Sequence, residues 1–139
     1  MKILGVSLGT KNGNNDTMCR VALEAAKAKG AEIEFIHLLD WDIQYCSGCV
    51  ACSRGLVMGK GMICSRQDDF KAFYEKVIEA DGVLFVDPIF ESGATGLYHS
   101  ITDRMGPGHD TGMMKMLDGK LKEAGKEAEA VFVSDMNID

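Results

Sequence analysis

The N-terminal part of the chain carries two strand patterns separated by one helical repeat. Residues 2–8 are apolar and β-prone, and they end in a turn rich in glycine and asparagine. Apolar side chains then recur at helical spacing from Met18 to Ala28, and Gly30 ends the predicted helix. Residues 31–38 alternate between apolar and acidic positions, which is typical of a half-exposed strand at a sheet edge.

The middle of the chain predicts a further strand and two helices around a cysteine-rich loop. Residues 41–67 lack a regular period, and we expect an irregular loop with one short helix. Residues 68–80 repeat apolar positions at helical spacing. The continuous apolar run 83–86 is typical of a central parallel strand covered on both faces, and a helix is predicted around 97–105.

The C-terminal part predicts a loop at 106–112, a helix over 113–125 and a fourth strand at 130–134. Strands that alternate with helices predict a single α/β domain over 1–139, with a doubly wound parallel sheet in three layers. Five-stranded folds of this kind have one further βα unit. That unit is either missing from a truncated copy or supplied by a partner, and the pattern leaves both readings open.

Composition narrows the class of function. The chain has 139 residues, a formal net charge of −6 and five cysteines. It has no basic stripe for nucleic acid or for an anionic membrane, and no apolar run near the roughly 18 residues that span a bilayer. With no signal-peptide pattern, we expect a cytoplasmic protein with reduced thiols, in which several cysteines indicate metal or redox chemistry.

The turn after the first strand is a candidate phosphate site. Small polar side chains crowd the start of the first helix, where unpaired N–H groups and the helix dipole favour an anion. The candidate donors are Ser7, Thr10, Asn14 and Thr17. An ordinary polar turn, capped by Thr17 or Asp16, is the alternative.

Four cysteines form a compact motif. Cys46, Cys49 and Cys52 are separated by two residues each, and Cys64 follows after eleven more. Three thiolates at this spacing can supply three corners of a [4Fe–4S] cube, with the fourth ligand from a glycine-rich loop that folds back. Zinc is the lesser option, because zinc sites more often pair two separated C-x2-C knuckles.

The turn after the third predicted strand carries a family resemblance. Pro88, Thr95, Gly96, Asp103 and Arg104 stand at the spacing of a pattern found in the NADPH-dependent FMN reductases, which are flavodoxin-like proteins, and the first loop is similar as well. The resemblance implies that Ser7, Asn14 and Thr17 hold the FMN phosphate. It also implies that the flavin ring lies along a six-residue segment, Pro88, Ile89, Phe90, Glu91, Ser92 and Gly93.

Each of these motifs also has an ordinary structural explanation. Phe90 can be a core residue, and Asp103 with Arg104 can form an ion pair at a helix end. Cys19, on the first helix, has no partner by spacing and is expected to be a buried or idle thiol.

Within the same superfamily, the cysteine motif resembles that of the iron–sulfur flavoproteins of anaerobes, although the gap before Cys64 is longer. This resemblance implies an oxidoreductase that transfers electrons between a [4Fe–4S] cluster and FMN, with no catalytic side chain of its own. Ferredoxin or NAD(P)H would be the donor, and a homodimer or homotetramer the assembly. The alternatives are a cluster-free NAD(P)H-dependent FMN or quinone reductase, and a degenerate flavodoxin-like binding subunit of a larger complex.

Overall fold

The computed structural model of the chain describes residues 1–58, 64–108 and 133–135. Strands and helices alternate along most of this part of the chain, as the sequence predicts. The elements are β1 (Lys2–Ser7), α1 (Asn14–Ala28), β2 (Glu32–His37), a 3-10 turn (Leu38–Asp40), α2 (Ala51–Val57), α3 (Phe70–Glu79), β3 (Gly82–Pro88), α4 (Gly96–Gly108) and β4 (Val133–Asp135).

The strands form one parallel sheet in the order β2-β1-β3-β4. Ser7, at the end of β1, pairs with His37 of β2 and Val86 of β3. The chain therefore leaves β1 in one direction to form β2 and crosses back to form β3. This order confirms the predicted flavodoxin-like doubly wound sheet, in which ligands bind at the carboxyl ends of β1 and β3.

Alternate side chains of β1 face two separate apolar layers. Leu4 and Val6 are fully buried on the face that packs against α3 and α4. Ile3 belongs to the layer under α1. The buried members of the first layer include Leu8, Ile36, Leu38, Phe70, Phe73, Val77, Ile101 and Met105, and those of the second are Cys19, Leu23 and Val86.

Helix α1 lies unusually close to β1 because residue 5 is glycine. A Cβ atom at Gly5 would lie 2.6 Å from Cδ1 of Leu23 and 2.7 Å from Sγ of Cys19. Cys19 is completely buried at this contact, as expected, and desolvation raises the pKa of its thiol to about 11. Cys19 is therefore a packing residue with a protonated sulfur at neutral pH.

The element boundaries differ from the sequence predictions in informative places. Helix α1 begins at Asn14, so the polar residues expected in a turn occupy its first turn. In β3 only Val86 is fully buried, whereas both faces of that strand were expected to be covered. The predicted helix over 113–125, the loop after residue 108 and the start of the predicted strand at 130–134 lie outside the described residues. Among the described helices, none is long and apolar enough to cross a membrane.

Candidate functional site

The loop from β1 to α1 ends in a helix start that lacks a capping side chain. The N-cap residue is Gly13, and the first turn of α1 follows directly. N–H groups in the first turn of a helix have no intrahelical partner, and the dipole makes this end positive. The N–H of Leu8 bonds to the carbonyl of Val86 at 2.9 Å, so the loop runs along the carboxyl end of β3. The loop therefore offers an anion site at the switch point of the sheet.

The buried carboxylate of Asp16 holds this loop in place through hydrogen bonds. Asp16 accepts hydrogen bonds from the hydroxyl of Ser7 at 2.5 Å and from the N–H of Asn12 at 2.8 Å. Burial opposes ionisation, but these two hydrogen bonds outweigh it and lower the pKa of Asp16 below its ordinary value. The hydroxyl proton of Ser7 is thus engaged by Asp16. The structure gives Ser7 a role in supporting the loop, which the sequence did not indicate.

Two buried polar side chains beside the loop have no hydrogen-bond partner within the described part of the chain. They are Asn15, through Nδ2, and His37, through both ring nitrogens. Nε2 of His37 lies 3.5 Å from a carboxylate oxygen of Asp16. A Cβ at Gly9 would lie 2.7 Å from Cβ of Asn15, so the loop backbone passes directly over this amide. A buried, unpaired amide donor beside an uncapped helix start fits a phosphate group.

The other predicted phosphate ligands lie on the outside of the same loop. The side chains of Thr10, Asn14 and Thr17 are exposed, and the hydroxyl of Thr17 donates to the carbonyl of Gly13 at 3.1 Å. The structure therefore brings all four predicted residues to the connection between β1 and α1. Ser7 ends β1, Thr10 lies in the loop, and Asn14 and Thr17 are in the first turn of α1. Sequence reasoning missed Asn15. A polar residue at a position where the helix faces the sheet was the only signal that pointed to it.

The loop from β3 to α4, residues 89–95, is closed at its base by one carboxylate. Asp87 accepts hydrogen bonds from the N–H of Thr95 at 2.8 Å and from its hydroxyl at 2.6 Å. The same hydroxyl oxygen accepts the N–H of Tyr98 at 3.2 Å and so caps α4. The clamp holds the two ends of the loop together and leaves its tip free to contact a ligand.

The tip of this loop is a tight turn that presents an aromatic ring. Phe90 and Gly93 exchange backbone hydrogen bonds of 3.0 Å, and both residues between them, Glu91 and Ser92, have positive φ angles of 49° and 65°. Non-glycine residues in this conformation are uncommon and store strain. The side chain of Phe90 is 63% exposed. The interpretation of Phe90 as a core residue is therefore wrong.

The four cysteines of the motif line one pocket, together with Arg66 and Arg104. Cys64 reaches this pocket in spite of the eleven residues that separate it from Cys52. Between the first three cysteines the backbone turns through two left-handed residues, Gly48 and Val50, with φ angles of 66° and 52°. A β-branched residue at such an angle is a true outlier, which indicates local strain at this site.

Three of the four sulfurs in the pocket have a described hydrogen-bond partner. The N–H of Gly48 lies 3.4 Å from Sγ of Cys46, and Sγ of Cys49 lies 3.0 Å from the hydroxyl of Ser65. Hydrogen bonding, chiefly with Ser65, lowers the pKa of the Cys49 thiol to about 7. The donor set is therefore suited to a soft metal or a cluster. Within residues 1–58 and 64–108, however, the side chains are not drawn together into a metal-holding group.

The base of the cysteine loop is fastened by a buried ion pair. The guanidinium of Arg104 binds both carboxylate oxygens of Asp68, at 2.5 and 2.7 Å, and both side chains are at most 1% exposed. Hydrogen bonds, chiefly from Arg104, lower the pKa of Asp68 to about 2. Asp103 is exposed, so the expected ion pair between Asp103 and Arg104 is wrong. No local spacing in the sequence indicates the true partner, which lies 36 positions away.

The same pair joins the two ends of the loop. The backbone carbonyl of Gln44 accepts a hydrogen bond from Arg104 at 2.9 Å, and the backbone N–H of Gln44 donates one to Asp68 at 2.9 Å. The side-chain oxygen of Gln44 accepts a further hydrogen bond, from the guanidinium of Arg66, at 2.6 Å. The segment before Cys46 and the segment after Cys64 are therefore bound to each other by hydrogen bonds within the protein.

Comparison with known proteins agrees with this architecture. Residues 1–134 match the family model described as NADPH-dependent FMN reductase. An iron–sulfur flavoprotein of Archaeoglobus fulgidus is 34% identical over 104 residues, which are 75% of this chain and 48% of the relative. One from Methanocaldococcus jannaschii is 33% identical over 108 residues, which are 77% of this chain and 53% of the relative. A solved structure described as flavone reductase aligns with a TM-score of 0.64 and 42% identity, covering 94% of this chain and 38% of that one.

The sheet order and the flanking helices define a flavodoxin-like α/β protein, with two loops at the switch point of the sheet. The chain belongs to the NADPH-dependent FMN reductase family, a family of flavin-dependent oxidoreductases. It spans about half the length of the curated relatives that it matches.

Proposed function

We propose that this chain binds FMN at the switch point and a [4Fe–4S] cluster in the cysteine pocket, and that it transfers electrons between the two. The observation that carries the flavin part is the unpaired, buried Nδ2 of Asn15 beside the uncapped start of α1. An orphaned donor of this kind, next to a helix N-terminus, fits the phosphate of FMN.

The chain's own residues bind and orient the flavin. The first turn of α1, with Thr10, Asn14 and Thr17, is the proposed phosphate site, and Ser7 supports it through Asp16. The turn Pro88–Gly93 is the proposed shelf for the ring. The N–H groups of Phe90 and Gly93 are bonded within the turn, so the proposed donors to the ring edge are the N–H groups of the two residues between them. The exposed ring of Phe90 supports this assignment, because an aromatic side chain next to a planar ligand contributes stacking and excludes water.

The proposed cluster ligands are Cys46, Cys49, Cys52 and Cys64. The support is that all four line one pocket and that iron–sulfur flavoproteins are among the similar proteins. When bound, such a cluster exchanges single electrons and FMN exchanges one or two, so the pair would connect a two-electron donor to one-electron carriers. The proposed donor is a nicotinamide nucleotide or a ferredoxin, and the proposed location is the cytoplasm, where thiols stay reduced.

A cluster-free NAD(P)H-dependent FMN or quinone reductase is the second candidate. It is favoured by the sulfur contacts, because the sulfurs of Cys46, Cys49 and Cys64 each have a hydrogen-bond partner in the protein. In that case the loop would serve as a folded element with reduced thiols. A third candidate, a degenerate binding subunit of a larger complex, would retain neither flavin nor iron.

One preparation separates these candidates. The full chain is purified without oxygen, and its absorption spectrum is recorded before and after dithionite, with iron and acid-labile sulfide assays on the same sample. Flavin bands with a broad shoulder and about four irons per chain support the electron-transfer function. Flavin without iron contradicts the cluster and leaves the reductase. A colourless protein contradicts both.

A ligand comparison tests the phosphate site separately. FMN is expected to bind the flavin-free chain at least about 10-fold more tightly than riboflavin, which lacks the phosphate. Asn15→Ala is expected to weaken FMN binding and to leave riboflavin binding unchanged, because only the phosphate contact is lost. Phe90→Ala is the matched control, since it is expected to weaken both ligands equally. Equal affinities for FMN and riboflavin in the parent chain would contradict the assigned phosphate site.

The proposed assembly is a homodimer or homotetramer. The exposed Phe90 leaves one side of the proposed flavin shelf open to a second chain. Light scattering on the FMN-loaded protein tests this proposal, and a monomeric mass would contradict it.

A further inference from the structure

Arg104 makes a contact that its ion pair with Asp68 does not require. Its Nη2 lies 3.3 Å from Sγ of Cys64, within hydrogen-bond range for a sulfur acceptor. Its guanidinium also lies 4.0 Å from the centre of the ring of Phe70. The planar fork of an arginine holds several partners in fixed directions at the same time, which a lysine does not. The position of the Cys64 sulfur is therefore tied to the core of the protein.

The ion pair holds the donor in place. Arg104 is 3% exposed as a residue, and Asp68 neutralises its charge through two hydrogen bonds. The guanidinium has no open solvent to turn into, and the carbonyl of Gln44 fixes its other edge. The N–H that faces Cys64 is consequently held in one orientation by contacts within the protein.

Among the four cysteines, Cys64 is the one whose position depends most on a fixed contact with the rest of the protein. The first three are at most six residues apart, whereas eleven residues separate Cys64 from Cys52. Closing a longer loop costs more conformational entropy, and a fixed contact at the end of the loop removes part of that cost before a metal binds. Hydrogen bonds to the ligating sulfurs also raise the reduction potential of a bound cluster.

We propose that Arg104 is a positioning residue that holds the sulfur of Cys64 at the cysteine pocket, so that it completes a four-thiolate site with Cys46, Cys49 and Cys52. The inference rests on the proposed function insofar as that function places a cluster in this pocket. It concerns the protein's own side chains, however, and it can be tested with a metal other than iron.

The test uses Co²⁺ as a probe of the reduced, iron-free full chain without oxygen. Tetrahedral thiolate sites accept Co²⁺, and the intensity of the sulfur-to-cobalt absorption rises with the number of thiolates. The variants are Arg104→Lys, which keeps the charge but loses the fork, and Arg104→Met combined with Asp68→Asn, which removes both buried charges together. Circular dichroism verifies that each variant is folded.

The parent chain is expected to give a four-thiolate spectrum. Both Arg104 variants are expected to bind Co²⁺ about 10–100-fold more weakly, as for other residues that orient a metal ligand, and to show a three-thiolate intensity. Arg66→Gln is the matched control. Arg66 lines the same pocket and carries the same charge, but its described hydrogen bond is to Gln44 and not to a sulfur, so a smaller change is expected.

Three results would overturn the inference. The first is a parent chain without a four-thiolate spectrum, and the second is an Arg104 variant with the parent's Co²⁺ affinity and absorption intensity. The third is an equal loss of Co²⁺ affinity in Arg66→Gln, which would assign the effect to charge alone. Iron analysis of the anaerobically purified protein tests the proposed cluster independently of the Co²⁺ experiment. A chain that holds no iron but shows Arg104-dependent Co²⁺ binding contradicts the proposed cluster and supports the positioning role.

A second readout applies to chains that contain the cluster. The cluster's midpoint potential is expected to be lower in Arg104→Lys than in the parent chain, because one N–H···S bond is lost, while the FMN potentials remain close to those of the parent. An unchanged cluster potential would contradict the role of the hydrogen bond.

Discussion

At the scale of single residues, buried polar groups define the site. Asp16 and Asp68 each accept several hydrogen bonds, and each lies beneath one of the two loops proposed to bind a cofactor. Burial of a carboxylate is costly unless donors surround it, so each acid requires its partners to stay in place. The loop positions therefore depend on a few charged residues that themselves contact no cofactor in the proposed arrangement.

Neutralising Asp68 is expected to destabilise the fold strongly. Asp68→Asn leaves the charge of Arg104 buried without a counter-ion, which typically costs about 3–5 kcal/mol. Asp103→Asn removes the exposed neighbouring carboxylate and is expected to change stability by no more than about 0.5 kcal/mol. Urea unfolding of the metal-free chains measures both values. Equal midpoints for the two variants would contradict the assigned ion pair.

The same pair is expected to give the protein a defined acid sensitivity. The pKa of Asp68 is lowered to about 2 in the folded state, and an unfolded aspartate has a pKa of about 3.9. The stabilisation from Asp68 is thus fully present above about pH 4 and is lost as the pH falls towards 2. Urea midpoints of the parent and Asp68→Asn are expected to differ most above about pH 5 and to converge as the pH falls to about 2. A constant difference would contradict this linkage.

At the scale of elements, glycine and polar residues decide how closely helices approach the sheet. Gly5 lets α1 pack directly on β1, and Thr95 begins α4 with a side-chain cap. Helix α1 then directs its uncapped start towards the switch point, while α4 connects the proposed flavin shelf to Arg104. Helix α4 therefore follows the proposed flavin shelf in the chain, with Thr95 as the cap before its start, and carries Arg104 to the cysteine pocket.

Substituting Gly5 is expected to test this packing. In Gly5→Ala the new methyl group would overlap Leu23 and Cys19, and overpacking of this kind costs about 1–3 kcal/mol. Gly96→Ala is the matched control, because no atom lies within 4 Å of its Cβ position and alanine favours helices. Thermal unfolding followed by circular dichroism gives the comparison. An unchanged melting temperature in Gly5→Ala would show that α1 moves away without cost.

At the scale of the whole molecule, the two proposed cofactor sites differ in how they depend on the core. The loop after β1, with the proposed phosphate site, and the proposed flavin shelf after β3 directly follow these two strands in the chain. The cysteine pocket lies on a loop that is fastened at its base by Gln44, Asp68 and Arg104. The two loops are therefore held in place by different sets of contacts.

Removal of the cluster is therefore expected to leave the flavin in place. Treating the anaerobic, iron-loaded chain with a chelator is expected to abolish the broad shoulder in the spectrum while the FMN bands and the far-ultraviolet circular dichroism persist. The reason is that hydrogen bonds within the protein close the base of the loop. Release of FMN together with iron would show that the two sites are coupled.

Local patterns along the chain determined most of the strands and helices of this protein. The apolar periods of residues 2–8, 18–28 and 68–80 predicted the first strand and two helices, because burial of one face is a local property of the chain. The alternation of elements predicted the parallel sheet, and the polar first loop and the cysteine spacing indicated the two candidate sites.

Tertiary structure alone decided the partners of the buried charges. The pairing of Arg104 with Asp68, the support of the first loop by Asp16 and the arrival of Cys64 at the pocket join residues that are 9 to 40 positions apart. Such contacts carry no periodic signal, since they depend on where the sheet order brings the ends of distant loops. The sequence by itself determined which chemical groups are available, and the packing of helices on the sheet decided which of them meet.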